Sequence, residues 1–306
     1  MKTSPEQNRV SIVIRSFTRT DELFRLLDSL GRQTLLPAEI VVIDSGSADL
    51  IVARLREWSQ SGYPSSSGHV IPLRLIEIPS ADFQSARALN RAIQESASEY
   101  VGIISQDALP VNESYLEILA EAVQQDRVAG AYGRQTLNGK RSALAEKDLL
   151  LTYPPKARIQ KAPDCWFVNT CSIIRRVLWE QHPFDERAVI SEDHEWAKWV
   201  QQRGYEIRYE ADAMVYHFHD FPRSGELWNR FYMEGKGLAY IHGRRMSAAR
   251  AIFNFAREVA SDSLWLLRKG SPWKFPISAY RRGIKHAALY RGFRDGFPAP
   301  KDAVPR

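Results

Sequence analysis

The strongest constraint on this chain is a regular alternation of short apolar runs with stretches of helical spacing. Residues 10–14 are a β-branched run read as a strand, 40–43 and 100–104 are apolar runs read as buried strands, and 73–78 read as a further strand. Between them come Leu23, Leu26, Leu27 and Leu30, then Ile51, Leu55 and Trp58, then Ala86, Leu89, Ile93 and Ala97, each set on one helical face. Thr20 and Asp21 offer a cap for the first helix. Strand and helix repeating at this pitch predict βαβ units: an α/β fold with a mainly parallel central sheet flanked by helices. No G-x-G-x-x-G follows the first strand, which disfavours a dinucleotide-binding dehydrogenase.

In open α/β sheets, ligands gather at the carboxyl ends of strands, so the residues ending each run matter. Residues 100–104 stop at Ser105-Gln106-Asp107, and Pro110 is expected to prevent the strand from continuing. Asp107 can hold a divalent cation and, through it, a phosphate. It can equally cap a helix starting near Asn112. Asp44 opens a turn-forming cluster through Asp49 and can be a plain turn residue. Glu192 and Asp193 open a helix bearing Trp196, Trp199 and Val200, where they also complement the helix dipole. Residues 205–209 and 213–216 read as two short strands, and the second ends at His217, a ligand or a satisfied buried histidine. Residues 128–132 read as a strand, 61–68 as a Ser/Gly loop, and 134–164 as a long loop or flap over the site.

Several local sequences now stand in a telling order. They are Val41-Val42-Ile43-Asp44-Ser45-Gly46-Ser47-Ala48-Asp49, Arg87-Ala88-Leu89-Asn90, Ser105-Gln106-Asp107, Ser191-Glu192-Asp193-His194-Glu195-Trp196 and Val215-Tyr216-His217. Together they resemble the motifs of the inverting family-2 glycosyltransferases with the GT-A (nucleotide-diphospho-sugar transferase) fold, over roughly two thirds of the chain. The resemblance implies metal-dependent transfer of a sugar from a nucleotide-sugar donor to a hydroxyl of a cell-surface polysaccharide or lipid-linked glycan. It implies Asp193 as the catalytic base, with Glu192 as the alternative. It implies Asp107 and His217 as ligands of Mg²⁺ or Mn²⁺, with His219 as the competing histidine. It implies donor contacts from Arg15, Ser16, Asp44, Arg87, Asn90, Ser105 and Gln106. Asn169, Phe184-Asp185-Glu186 and the run from Val215 to His219 look most like bacterial rhamnosyltransferases, the class that builds O-antigen and other envelope polysaccharides. Ser105 replaces the first Asp of the family's D-x-D motif, which commonly contacts ribose hydroxyls. A deoxyribose nucleotide would lose less by this change, so dTDP-rhamnose is the expected donor. A UDP-hexose donor and a catalytically silent nucleotide-sugar-binding protein are the alternatives.

Charge separates the end of the chain from the rest. Residues 221–306 carry 17 Lys/Arg against 6 Asp/Glu, a net +11, whereas residues 1–220 are net −5. The expected organisation is a catalytic domain over residues 8–220 and a basic, amphipathic helical region over 221–306. Ile252, Phe253, Ala256, Val259, Ala260 and Leu267 share a helical face, opposite Arg250, Asn254, Arg257 and Glu258. Trp273 and Phe275 lie among Pro272 and Pro276, where the pattern breaks. Arg281, Arg282, Lys285 and Arg291 are expected on an outer face. This composition predicts peripheral docking on an anionic membrane surface. Packing on the catalytic domain, or on a second subunit in a homo-oligomer, would satisfy the apolar faces equally. No nucleic-acid module is recognisable, so nucleic acid is not an expected partner. Cys165 and Cys171 form neither a disulfide framework nor a zinc motif, and no long apolar core marks the N-terminus as a signal peptide. A reducing cytoplasm is therefore expected. No apolar run of about 18 residues is present to cross a membrane.

Overall fold

The computed structural model describes residues 10–18, 20–139, 142–188, 190–217 and 223–296. It forms two compact units. The first contains Met1–Asn138, Tyr153–Glu186 and Glu192–Phe218. The second contains Gly139–Thr152, Arg187–Ser191 and His219–Arg306, so it draws two segments from within the sequence range expected to be catalytic.

The first unit is built on a nine-stranded sheet. In chain order its elements are β1 (Val10–Ser16), α1 (Glu22–Leu30), β2 (Glu39–Asp44), α2 (Asp49–Ser61), β3 (Tyr63–Pro64), β4 (Val70–Ile71), β5 (Leu73–Glu77), α3 (Ser85–Gln94), β6 (Tyr100–Ser105), β7 (Leu109–Pro110), α4 (Tyr115–Gln124) and β8 (Val128–Thr136). After α5 (Ala143–Thr152), which belongs to the second unit, come β9 (Arg158–Gln160), β10 (Cys171–Arg175), α6 (Arg176–Gln181), α7 (Glu192–Gln202) and β11 (Glu206–Tyr216). Strands β5, β2, β1 and β6 are parallel neighbours, as the βαβ pattern requires. Beyond β6 the sheet becomes mixed. Strand β10 runs antiparallel between β6 and β8, and β8 pairs in parallel with β11. The apolar runs lie at the centre of this sheet, with Val13, Ile14, Val41, Val42 and Val101 fully enclosed. Helix α1 buries Leu23, Leu26, Leu27 and Leu30. Each such side chain contributes about 1.5–3 kcal/mol of burial free energy.

Local structure differs from the sequence reading in several places, each for a definable reason. Asp21 stands at the cap position of α1 but makes no side-chain cap bond. The segment 134–164 is not one loop: it continues β8, then contains α5 and β9. The two strands expected at 205–209 and 213–216 are a single strand, β11, with a register shift between Glu210 and Met214. The Ser/Gly segment closes a small hairpin between β3 and β4. Pro110 does not end pairing. It lies in β7 at the sheet edge, where Tyr216 pairs with Leu109 and Val215 with Pro110, and an edge position tolerates the missing donor.

The second unit is helical: α5, α8 (Ser224–His242), α9 (Ala248–Arg268) and α10 (Phe275–Asp295). Gly235 of α8 and Gly292 of α10 face each other so closely that a Cβ on either would collide with backbone of the opposite helix. The centre of this unit is ionic. Asp262, fully buried, receives Lys147 at 2.5 Å, Ser278 at 2.5 Å and Arg282 at 2.8 Å. Arg282 also reaches Asp148 at 2.5 Å, and Glu258 binds Lys285 at 2.7 Å and His286 at 3.0 Å. Burial works against the charge on Asp262. The hydrogen bonds from Arg282, Lys147 and Ser278 outweigh it and hold the carboxyl below its ordinary range. Arg282 and Lys285, expected on an outer face, are therefore part of the interior network, and Arg291 is paired with Asp295. No helix among the described residues is long and apolar enough to cross a membrane.

Candidate active site

The carboxyl ends of β1, β2 and β6 lie side by side, because Ser16 pairs with Asp44 and Arg15 with Ser105 in the parallel registers. The loops after these strands are cross-tied. Gln106 brackets Phe17: its Oε1 accepts the Phe17 N–H at 2.7 Å and its Nε2 donates to the Phe17 carbonyl at 2.9 Å. The Ser16 and Ser47 hydroxyls are 3.1 Å apart. Asp44 is buried, and its Oδ1 accepts the backbone N–H groups of Gly46 and Ser47, both at 2.9 Å. Its Oδ2 accepts the Ser47 hydroxyl. In this conformation the Asp44 carboxylate organises its own turn.

Asp107 and His217 are brought together by the edge pairing of β7 with β11. The Asp107 Oδ1 lies 3.6 Å from the His217 Nε2. His217 Nδ1 is 2.8 Å from Gln135 Oε1, and donation from Nδ1 to that acceptor leaves Nε2 as the ring nitrogen directed at Asp107. Gln135 sits at the end of β8, opposite Val215 in register. A carboxylate oxygen and an imidazole nitrogen converging in this way fit Mg²⁺ or Mn²⁺, which are commonly bound by few protein groups plus phosphates and water. No group of three or more metal-binding side chains occurs among the described residues. His219 lies outside them. Asp107 does not cap the following helix, which begins at Tyr115 after Ser114.

Glu192 and Asp193, adjacent in the first turn of α7, have different surroundings. Glu192 is buried. Its Oε1 accepts the Ser85 hydroxyl at 2.5 Å and lies 3.7 Å from Arg15, which itself donates to Ser85. Burial and then the neighbouring Asp193 push the Glu192 carboxyl upward, against Arg15 and Ser85. Asp193 keeps a partly accessible edge, yet dense surroundings push its carboxyl up to about 6, against the N–H groups of Asn169 and His194 and the charge of Arg15. The Asn169 N–H donates to Asp193 Oδ2 at 3.2 Å, and the His194 N–H to Oδ1 at 2.8 Å. Asp193 is also close in the chain fabric to the β6 end, since the Ser105 N–H donates to the Thr170 carbonyl at 3.0 Å.

Two of the expected donor contacts are held by local structure. Asn90 uses three of its four hydrogen-bonding positions on Phe184 and Trp179. Arg87 is engaged at 2.9 Å by Glu186 on the surface. Sequence reasoning assigned no role to Gln135 or Ser85, which no motif marks, and none to the Asn169 amide. The Asn169 side chain is buried, and neither its nitrogen nor its oxygen has a hydrogen-bond partner in the structure. Such a group calls for an explanation.

Comparison with known proteins gives these features a context. Residues 11–182 match the family described as Glycosyl transferase family 2. The O-antigen chain rhamnosyltransferase RfbN of Salmonella typhimurium is 24% identical over 238 residues, covering 74% of this chain and 71% of the relative. The O-antigen chain rhamnosyltransferase WbaN of Salmonella anatum is 26% identical over 210 residues, covering 65% of this chain and 62% of the relative. Among solved structures, the mannosyltransferase PcManGT from Pyrobaculum calidifontis, in complex with GDP-Man and Mn²⁺, superposes with a TM-score of 0.65 at 17% identity, over 94% of this chain and 87% of that one. TarS residues 1–349 of S. aureus superpose with a TM-score of 0.52 at 14% identity, over 97% and 94%.

Proposed function

This chain belongs to glycosyl transferase family 2 and is a glycosyltransferase, and we propose that it moves L-rhamnose from dTDP-rhamnose to a hydroxyl of a cell-surface polysaccharide or lipid-linked glycan, with inversion, at the inner face of the cytoplasmic membrane. One observation carries the mechanism: two chemically distinct stations adjoin the end of β6. One is the Asp107–His217 pair, and the other is Asp193, a carboxylate whose pKa of about 6 suits proton uptake near neutrality. The acceptor oxygen attacks the anomeric carbon and its proton passes to Asp193. The bond from that carbon to the donor diphosphate breaks, and its electron pair leaves on the phosphate oxygen. A divalent cation held by Asp107 and His217 would supply positive charge where that oxygen becomes anionic. Glu192, tied to Ser85 and Arg15, anchors the first turn of α7 and leaves Asp193 as the base. A single displacement without a covalent intermediate gives inversion.

The sugar assignment draws support from the two Salmonella relatives, both O-antigen chain rhamnosyltransferases, and from Ser105 in place of a ribose-binding carboxylate. A donor screen tests it: dTDP-rhamnose against UDP-glucose, UDP-galactose, UDP-GlcNAc and GDP-mannose, with Mn²⁺ or Mg²⁺, scored by released nucleotide. The expected result is preferential release of dTDP. Faster release of UDP would replace the donor with a UDP-hexose. No release from any donor, with nucleotide binding intact, would favour the silent binding protein.

A further inference from the structure

Helix α9 of the second unit carries its apolar side outward. Its buried residues are Ala251, Asp262 and Leu266, and Asp262 belongs to the ionic network. At 100° per residue, Ile252, Ala256, Leu267, Ala260, Phe253 and Leu264 span an arc of about 120°, turned away from the buried side. Ile252 is 67% exposed, Phe253 58%, Leu264 59% and Leu267 61%. Arg250, Arg257 and Arg268 border one edge of this arc, and none forms an ion pair among the described residues. The turn after the helix continues the same character with Trp273, 71% exposed, followed by Lys274 and Phe275. Contiguous apolar surface of this kind is uncommon on a soluble monomer and marks a contact site.

The basic edge decides what covers it. A two-fold contact with a second copy would set this face against itself, and because its apolar arc and arginine edge carry no carboxylate, the arginines would gain no anionic partner from it. An anionic bilayer offers a hydrocarbon boundary to the apolar arc and phosphates to the arginines, and tryptophan is favoured at that depth. We propose that α9 and the turn after it form a membrane-docking face, with Ile252, Phe253, Leu264, Leu267 and Trp273 in the lipid interface and Arg250, Arg257 and Arg268 on headgroup phosphates. The biological sense of this face rests on the lipid-linked acceptor of the proposed function, but its measurement uses neither donor nor acceptor.

The test is co-sedimentation of the full chain with phosphatidylcholine vesicles, with and without phosphatidylglycerol, over a range of NaCl. Binding is expected only with phosphatidylglycerol and should weaken as salt rises. Phe253→Glu/Leu264→Glu and Arg250→Glu/Arg257→Glu alter exposed positions, and each double variant should lose binding by about tenfold or more. Quenching of tryptophan fluorescence by bromolipid, reduced in Trp273→Phe, gives an independent readout should a variant misfold. Absence of wild-type binding to anionic vesicles would overturn the proposal. So would unchanged binding in both folded variants, or a lipid-indifferent dimer dispersed by Phe253→Glu/Leu264→Glu. Donor turnover, measured in parallel, separates the two readings: vesicle binding without turnover retains the docking face and rejects the proposed chemistry.

Discussion

Replacement of Asp193 by Asn, read against pH, is the most demanding test of the catalytic assignment. Burial disfavours the carboxylate and lifts its pKa from 3.8 to about 6. The ionised form, the one able to accept a proton, therefore accumulates as pH rises through about 6 and is lost as pH falls through it. About nine-tenths of the sites are ionised at pH 7 and about one-tenth at pH 5, whereas an ordinary aspartate would remain over nine-tenths ionised at pH 5. Wild-type turnover should fall roughly tenfold between pH 7 and pH 5. The linked contribution to folding follows from the same shift: ionising a carboxyl whose folded pKa is raised costs stability, progressively from about pH 4 and fully above about pH 6. The Asn variant should lose about 10²-fold or more in turnover, equivalent to about 2.7 kcal/mol, with donor affinity retained. Initial rates of nucleotide release with acceptor, from pH 4.5 to 8, supply the profile. Saturating Mn²⁺ suppresses a separate acid limb from protonation of a histidine ligand. A profile flat between pH 5 and 7 would refute the assignment. Near-wild-type turnover in Asp193→Asn together with loss in Glu192→Gln would move the base by one residue.

Asp107→Ala should abolish Mn²⁺-dependent binding of the nucleoside diphosphate in calorimetry while leaving the melting temperature unchanged. His217→Ala should weaken that binding less, because it removes a neutral ligand. Gln135→Leu removes the acceptor that fixes the His217 proton on Nδ1 and should weaken metal binding by about 10–100-fold, measured by Mn²⁺ titration. Asp262→Ala leaves Lys147 and Arg282 buried without their shared carboxylate and should cost about 3–5 kcal/mol in chemical denaturation followed by circular dichroism. Asn169→Leu replaces an unpartnered buried amide by an apolar side chain of similar size. Its melting temperature should hold or rise, and a fall in turnover would show that the amide serves the reaction.

The parallel half of the sheet and the strand-end residues were legible because each run of β-branched residues reports burial directly, and the register then brings Ser16, Asp44 and Ser105 to one edge. The antiparallel half was less legible. β10 is held by long-range pairing on both sides, and Leu109-Pro110 becomes a strand only because β11 lies beside it. That edge pairing brings Asp107 to His217, a meeting that sequence spacing cannot express. Gln135 was silent for the same reason: its role depends on a neighbour 82 positions away.

The helical unit reverses the usual inference from amphipathic spacing. Periodicity identified two faces of α9, but it cannot say which one is inward. The ordinary expectation is that the apolar face is buried, because removing a large aliphatic or aromatic side chain from water is favourable by about 1.5–3 kcal/mol. Here Asp262 and Glu258 belong to the ionic network that joins α9 to α10, and Lys147 of α5 enters it as well. Once those charges are enclosed they must stay paired, since a buried charge without its partner is far costlier than an exposed leucine. The network thus sets the rotation of α9, and the apolar arc with Ile252, Phe253, Leu264 and Leu267 is turned outward as a consequence. The basic surplus of the C-terminal region then divides into two populations. Arg282 and Lys285 neutralise interior carboxylates, whereas Arg250, Arg257 and Arg268 remain at the edge of the apolar arc. Net charge counted along the sequence merges these populations. Only the pairing of individual residues separates the charge that builds the unit from the charge it presents outward.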